Sequence, residues 1–181
     1  IMHFTLMSKI TYSIKELISR QRHELLNFRS QPYVLRNKED QLKEYLGSPL
    51  IKVIMGPRRA GKSRIIQRVL QDASVAYVNF EDDQLTSAST EEIIDAMNEV
   101  YPNAKYWYLD EIQDYPQWET FLNKLHRRSY NIIVTGSNAK LLSSELATAL
   151  TGRHLAIELL PFSYGEYLRA TNQNREWGSF A

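Results

Sequence analysis

Residues 56–63 read Gly-Pro-Arg-Arg-Ala-Gly-Lys-Ser, a complete match to the pattern GxxxxGK[ST]. A strand-like apolar run at residues 50–55 precedes this match, and residues 64–70 place their apolar side chains at helical spacing. In such a strand, turn and helix, backbone N–H groups wrap a phosphate and the helix offers its positive N-terminal end to the same anion. The feature therefore predicts a phosphate-binding loop and restricts the chain to an α/β fold.

The residue types in this loop point to a nucleoside triphosphate, and to ATP in the first place. Lys62 is expected to reach the β and γ phosphates, and the Ser63 hydroxyl is expected to bind Mg²⁺. Arg58 and Arg59 contact phosphate, a neighbouring subunit or only solvent, and the sequence leaves these alternatives open. The predicted nucleotide-binding residues are Gly56, Pro57, Arg58, Arg59, Ala60, Gly61, Lys62, Ser63 and Arg64.

Strand-like and helix-like segments alternate along the rest of the chain. Apolar runs of strand length follow at residues 75–80, 106–109, 131–135 and 155–160, with segments of helical periodicity between them. Among these helical segments, Ser89 and Glu92 have capping-box spacing, Pro116 opens a predicted helix, and residues 141–150 form another. This alternation predicts a P-loop NTPase fold, with a parallel sheet of about five strands and helices on both faces. The predicted divisions are a helical lead-in at residues 1–46, an ATPase core at 47–160, and the start of a lid or linker at 161–181.

Two adjacent carboxylates, Asp110 and Glu111, end the third apolar run. In a parallel sheet, ligands lie beyond the carboxyl ends of the strands, and successive side chains diverge there. Asp110 is therefore expected to hold Mg²⁺ opposite Ser63, while Glu111 orients the water that attacks the γ-phosphate. The alternative is that these acidic residues only form a turn.

Polar residues at two further strand ends complete the expected catalytic set, which is Lys62, Glu111, Asn138 and Arg153. Asn138, with Ser137 in reserve, follows the strand at 131–135 and is expected to contact the γ-phosphate and the attacking water; the alternative is a helix cap. Arg153 precedes the last strand, from where an arginine can reach a neighbouring subunit's nucleotide, or it is an ordinary surface residue.

Composition excludes several other kinds of protein. The formal net charge is only +1, so a role on DNA would depend on local patches such as Lys124, Arg127 and Arg128. The chain has no cysteine, which removes disulfides and thiolate chemistry and favours a cytoplasmic location. No apolar stretch approaches the ~20 residues that a membrane helix needs, so no membrane partner is expected.

Taken together, the motif residues resemble those of the prokaryotic AAA+ ATPases related to the archaeal ATPase group. The similar blocks lie at residues 56–63, 108–113, 134–142, 150–153 and 160–163, and the resemblance covers about residues 45–170. It implies an AAA+ core, often oligomeric, with Asn138 at the sensor-one position and Arg153 near the arginine-finger position. The chain stops soon after Tyr167, before a full helical lid and a further C-terminal domain, so a fragment or a naturally short protein is expected.

The sequence thus predicts Mg-dependent ATP binding and hydrolysis, coupled to conformational change in a partner or in a missing C-terminal domain. The first alternative is a nucleotide-gated switch that binds DNA or protein and hydrolyses ATP slowly. A kinase acting on a small molecule or on a nucleic-acid end would use the same loop. The sequence does not identify the partner or the oligomer size.

Overall fold

The strands of the chain lie side by side in one sheet, with helices packed on both of its faces. The computed structural model describes residues 12–29, 32–137 and 150–171. In chain order its elements are α1 (Ile14–Arg29), α2 (Glu39–Tyr45), β1 (Ile51–Met55), α3 (Lys62–Val69), β2 (Val75–Asn79), α4 (Asp83–Thr86), α5 (Thr90–Val100), β3 (Tyr106–Asp110), a 3₁₀ turn (Ile112–Asp114), α6 (Trp118–Arg127), β4 (Ile132–Gly136), β5 (His154–Glu158) and α7 (Tyr164–Ala170).

The sheet is parallel throughout, with the strand order β2-β3-β4-β1-β5. Met55 at the end of β1 is in register with Gly136 at the end of β4, and Asn79 is in register with Asp110 at the end of β3. The carboxyl ends of these four strands therefore form one edge. The predicted parallel sheet of about five strands with flanking helices is confirmed.

Burial on both faces explains why the strands read as continuous apolar runs. Alternate residues of β1, β2, β3 and β4 enter two separate cores, one packed under α1, α5 and α6, the other under α2 and α3. The first core contains Val53, Val78, Leu109 and Val134, and the second contains Ile54, Tyr77, Tyr108 and Ile133.

Helix α1 covers β2, the strand at one edge of the sheet. The Gln21 side chain accepts a hydrogen bond from the Asn79 N–H at 2.9 Å and donates one to the Asn79 carbonyl at 3.0 Å. One amide side chain thus satisfies both backbone groups that an edge strand leaves unpaired at this residue.

Several helix boundaries were predicted from local signals, and most lie within two residues of the structure. The capping box at Ser89 and Glu92 opens α5 as expected. Helix α6 begins at Trp118 rather than at Pro116, because Pro116 and Gln117 form a turn in which the Trp118 N–H donates to the Tyr115 carbonyl. The helix expected at residues 141–150 lies almost entirely outside the described residues.

In the described ranges, none of the helices has both the length and the apolar character that crossing a membrane requires.

Candidate active site

The predicted phosphate loop joins β1 to α3 at the carboxyl edge of the sheet. Gly56 has φ 152°, and a Cβ there would lie 2.0 Å from the Leu159 carbonyl oxygen, so only glycine fits. Gly61 has φ 91° and stands at the N-cap of α3 without a side-chain cap. The first-turn N–H groups of Lys62, Ser63 and Arg64 have no acceptor within the helix, as helix geometry requires, and this end of α3 is suited to an anion.

The Lys62 side chain is buried inside the loop. Its Nζ donates to the carbonyl oxygens of Gly56 at 3.2 Å and Pro57 at 3.3 Å. It also lies 3.6 Å from Oε1 of Glu111. The ammonium group therefore lies between the loop and the acidic end of β3.

Ser63 and Asp110 face each other, and the sequence predicted this pair as the Mg²⁺ ligands. The Ser63 hydroxyl lies 3.2 and 3.1 Å from the two carboxylate oxygens of Asp110. The Asp110 carboxylate also accepts hydrogen bonds from the hydroxyl groups of Thr135 and, at 3.2 Å, Tyr77. Burial raises the pKa of Asp110, and the hydrogen bond from Thr135 acts in the opposite direction.

Glu111 has a left-handed backbone, with φ 49° and ψ 48°. Its N–H donates to the Thr135 hydroxyl oxygen at 3.0 Å, so one threonine contacts both adjacent acidic residues. The Gln113 amide donates to Oε2 of Glu111 at 2.8 Å. The two carboxylates thus have different side-chain partners.

A cavity of about 280 Å³ opens beside these groups. Ser63, Asp110 and Tyr77 contribute to its wall, together with Gln67 of α3 and Glu24 of α1. It adjoins the expected metal ligands, and we regard it as part of the same site.

Three arginines, Arg58, Arg59 and Arg64, lie in the loop or in the first turn of α3. Arg58 is exposed and pairs with Glu81 at 2.7 Å, and Arg59, also exposed, has φ 65°. Arg64 donates to the Pro32 carbonyl at 2.7 Å. The loop itself is therefore lined by backbone groups and by Lys62.

Of the two distal residues, Arg153 is described and Asn138 is not. Asn138 lies outside the described residues, whereas Ser137 directly follows β4 and is half-buried. Arg153 donates to the Asn123 side chain of α6 at 2.8 Å, and its carbonyl accepts from the Ile51 N–H. It is thus beside the start of β1, roughly 17 Å from the loop at ~3.3 Å per strand residue.

Two of the three basic residues suggested for DNA, Lys124 of α6 and Arg128 at its C-cap, are paired with an acidic residue. Glu91 of α5 forms ion pairs with both Lys124 and Arg128. These contacts offset the charge of that helix face.

Sequence reasoning missed Thr135, Tyr77 and Gln113. Thr135 and Tyr77 are typical strand residues, and nothing local shows that their hydroxyl groups reach Asp110. Gln113 follows Glu111 by two residues, and this proximity was the only available signal.

Comparison with known proteins identifies the family of this chain. The model of the AAA domain family matches residues 48–168. The uncharacterized protein MJ1544 of Methanocaldococcus jannaschii is 39% identical over 130 residues, which cover 68% of this chain and 29% of that protein. An uncharacterized protein of Haemophilus influenzae is 36% identical over 150 residues, which cover 75% of this chain and 37% of that protein. The chain thus spans between 29% and 37% of these relatives.

Solved structures share the fold. The Walker-type ATPase PABY2304 of Pyrococcus abyssi has a TM-score of 0.54 at 18% identity, over 80% of this chain and 60% of its own. AMPPCP-bound DnaA of Aquifex aeolicus has a TM-score of 0.53 at 16% identity, over 80% of this chain and 55% of its own. At these identities the likeness concerns the fold alone. The family match, which extends over more than half of the chain, shows that the chain belongs to the AAA domain family.

Proposed function

We propose that this chain binds MgATP at residues 56–64 and hydrolyses it, and that the cycle drives a conformational change in a partner or a further domain. The supporting observation is one connected network, in which Lys62 lies beside Glu111, Ser63 contacts Asp110, and Thr135 joins Asp110 to Glu111. Membership of an ATPase family supports nucleotide binding and hydrolysis at a general level. The cytoplasm is the compartment we propose, on the absence of cysteine.

The backbone of the loop and the Lys62 side chain bind the phosphates. The backbone N–H groups of the first turn of α3 face the anion, while the ammonium group exchanges the carbonyl oxygens of Gly56 and Pro57 for phosphate oxygens. Arg58, Arg59 and Arg64 contribute through their backbone. Little covalent chemistry is needed, because phosphoryl transfer depends mainly on position and charge.

The residues opposite the loop fit a magnesium ion. Ser63 and Asp110 offer hard oxygen ligands at adjacent positions, which is the donor type that Mg²⁺ prefers. When bound there, Mg²⁺ would supply charge neutralisation for the phosphates. Among the described residues there is no cluster of three His, Cys, Asp or Glu, so the remaining ligands in this proposal are phosphate and water.

Glu111 acts on the attacking water. Its carboxylate accepts a hydrogen bond from the attacking water and directs the water oxygen toward the γ-phosphate. The hydrogen bond from Gln113 fixes the rotation of this carboxylate. In this proposal, Asn138 contacts the same γ-phosphate and attacking water. Arg153 lies too far from the phosphate loop of its own chain, so it acts on the nucleotide bound by a neighbouring copy.

A slow, nucleotide-gated switch is the second candidate. Both carboxylate oxygens of Glu111 have side-chain neighbours, with Lys62 at 3.6 Å and Gln113 at 2.8 Å. A carboxylate held in this way has to be released before it can act on water, which favours long-lived nucleotide-bound states. In this reading, the partner, DNA or protein, binds only one of the two states.

The decisive measurement is MgATP binding and phosphate release for the unaltered chain, Lys62→Ala and Glu111→Gln at matched concentrations. We expect Lys62→Ala to lose binding, and Glu111→Gln to keep binding while turnover falls by about a hundredfold or more. Lys105→Ala and Glu119→Gln change the same residue types at exposed positions and should behave as the unaltered chain.

Three outcomes distinguish the readings. Turnover that falls in Glu111→Gln while MgATP binding is kept supports the ATPase, and turnover that is equally slow in the unaltered chain and in Glu111→Gln supports the switch. Phosphate that appears on an added acceptor rather than in solution identifies a kinase.

A further inference from the structure

Arg36, in the segment between α1 and α2, is buried against the phosphate loop from behind. Its guanidinium group donates to the Ala60 carbonyl oxygen at 2.6 Å through Nη1 and to the Leu160 carbonyl oxygen at 2.7 Å through Nη2. Its Nε donates to the Glu166 carboxylate of α7 at 3.0 Å. One side chain thus joins the loop, the chain after β5, and α7.

The Glu166 carboxylate, like the Arg36 guanidinium, forms several hydrogen bonds. Besides Arg36, the Glu166 carboxylate accepts hydrogen bonds from the N–H groups of Asn37 and Ser163, each at 2.8 Å. The side chains of Arg36 and Glu166 are only 4% and 5% exposed. A buried ion pair is costly to desolvate, so such complete pairing indicates a geometry that the fold has to maintain.

The contact with Ala60 bears on the phosphate site through one peptide group. In a trans peptide the C=O and the following N–H point in opposite directions. A donor that fixes the Ala60 carbonyl therefore fixes the direction of the Gly61 N–H, within the glycine-rich turn that wraps phosphate. The guanidinium lies directly behind that residue, because a Cβ on Gly61 would be 3.0 Å from Nη1.

We propose that Arg36 is a positioning residue that directs the Gly61 N–H toward bound phosphate, and that Glu166 couples the position of α7 to nucleotide affinity. This inference rests on the proposed function, since it assigns a role within the same phosphate loop. A lysine does not replace the arginine, because only the planar guanidinium reaches three acceptors in these directions.

The chain offers a matched control in Arg169. This residue of α7 donates to the Asn37 side chain at 2.8 Å and to the Leu35 carbonyl at 3.3 Å. Arg169 links α7 to the segment between α1 and α2, as the Arg36–Glu166 pair does. The contacts described for Arg169 do not include the phosphate loop. A purely structural link would make both arginines equivalent.

The test titrates MgATP, and separately magnesium tripolyphosphate, into the unaltered chain, Arg36→Lys, Glu166→Gln and Arg169→Ala, with melting curves for each. We expect Arg36→Lys to weaken both probes by about tenfold or more, because a charged hydrogen bond is lost. Glu166→Gln should weaken both in the same direction, and Arg169→Ala should bind as the unaltered chain. Equal affinities for all four proteins, or equal losses in Arg36→Lys and Arg169→Ala, overturn the proposal.

A second measurement uses the unaltered chain. Coupling between sites is reciprocal, so saturating MgATP has to slow amide hydrogen exchange at α7, for instance at the N–H of Thr171, which caps the end of α7 and donates to the Tyr167 carbonyl. Unchanged exchange in α7 overturns the coupling even if a variant fails to fold. Lys62→Ala in the same titration keeps the two proposals separate: if it loses binding while Arg36→Lys does not, the ATPase proposal stands and this one fails.

Discussion

At the scale of single residues, the site depends on a hydroxyl group that the motifs do not include. The Thr135 hydroxyl accepts a hydrogen bond from the Glu111 N–H and donates one to the Asp110 carboxylate, so it sets the relative position of the two acidic residues. Glu111 is also held in a left-handed conformation, which costs roughly 1–3 kcal/mol for a residue other than glycine. Strain of this kind persists only where neighbouring contacts enforce it.

Replacing Thr135 with valine should therefore lower turnover more than it lowers nucleotide affinity. The change keeps the side-chain shape but leaves the Glu111 N–H without its acceptor, at a cost of about 1–3 kcal/mol. We expect kcat to fall about tenfold or more and the Mg²⁺ requirement to rise, measured as phosphate release against Mg²⁺ concentration. Thr135→Ser keeps the hydroxyl and should stay near the unaltered rate. Equal behaviour of the two variants would contradict this role.

The sequence identified the main acidic pair and the loop because each lies within a few residues of a strand end. It did not identify Thr135, Tyr77 or Arg36. Thr135 reaches Asp110 only because β4 lies beside β3, and neighbours across a sheet leave no local pattern. Arg36 is a single arginine in a connecting segment, and its contacts are with residues far along the chain.

At the scale of elements, strands were predicted more accurately than contacts between elements. The predicted runs at residues 50–55, 75–80 and 106–109 each differ by one residue from β1, β2 and β3. Burial on both faces makes such runs visible. The strand order and the contact of Gln21 with β2 depend on long-range packing, for which hydrophobic periodicity contains no information.

Helix α7 should show an acid-dependent stability because of Glu166. Burial alone would raise the pKa of this carboxyl group, but the hydrogen bonds from Asn37, Ser163 and Arg36 outweigh it and lower the pKa to about 2. Since the folded pKa is below the unfolded value, the stabilisation is present above about pH 4.5 and is lost as pH falls toward 2.

Urea unfolding of the unaltered chain and Glu166→Gln between pH 7 and pH 3 measures this effect. The difference in unfolding free energy should stay constant down to about pH 5.5 and shrink below pH 4.5. Glu92→Gln is the matched control, because Glu92 occupies the same capping-box position of α5 but is exposed. A larger loss in Glu92→Gln than in Glu166→Gln would show that the capping box alone, rather than the buried pair, anchors α7.

At the scale of the whole molecule, the sheet separates Arg153 from the phosphate loop of its own chain. Arg153 precedes β5, whose first residue is in register with Ile51 at the start of β1, whereas the loop follows the end of β1. An arginine at the opposite edge of the sheet cannot reach its own nucleotide without unfolding the strands between them. If Arg153 acts in catalysis, its target is the nucleotide of another copy.

This geometry predicts complementation between two inactive variants. Arg153→Ala keeps an intact loop but lacks the arginine, whereas Lys62→Ala lacks the loop lysine but supplies the arginine. In a head-to-tail assembly, mixing equal amounts should restore about one quarter of the sites, because half the subunits have an intact loop and half of their neighbours supply Arg153. Phosphate release is measured over a range of protein concentrations, with Lys62→Ala plus Glu111→Gln as the control. The two changes in the control pair damage the same site, so that mixture should stay inactive. An absence of phosphate release from the mixture of Arg153→Ala and Lys62→Ala would exclude the role of Arg153 in a neighbouring copy.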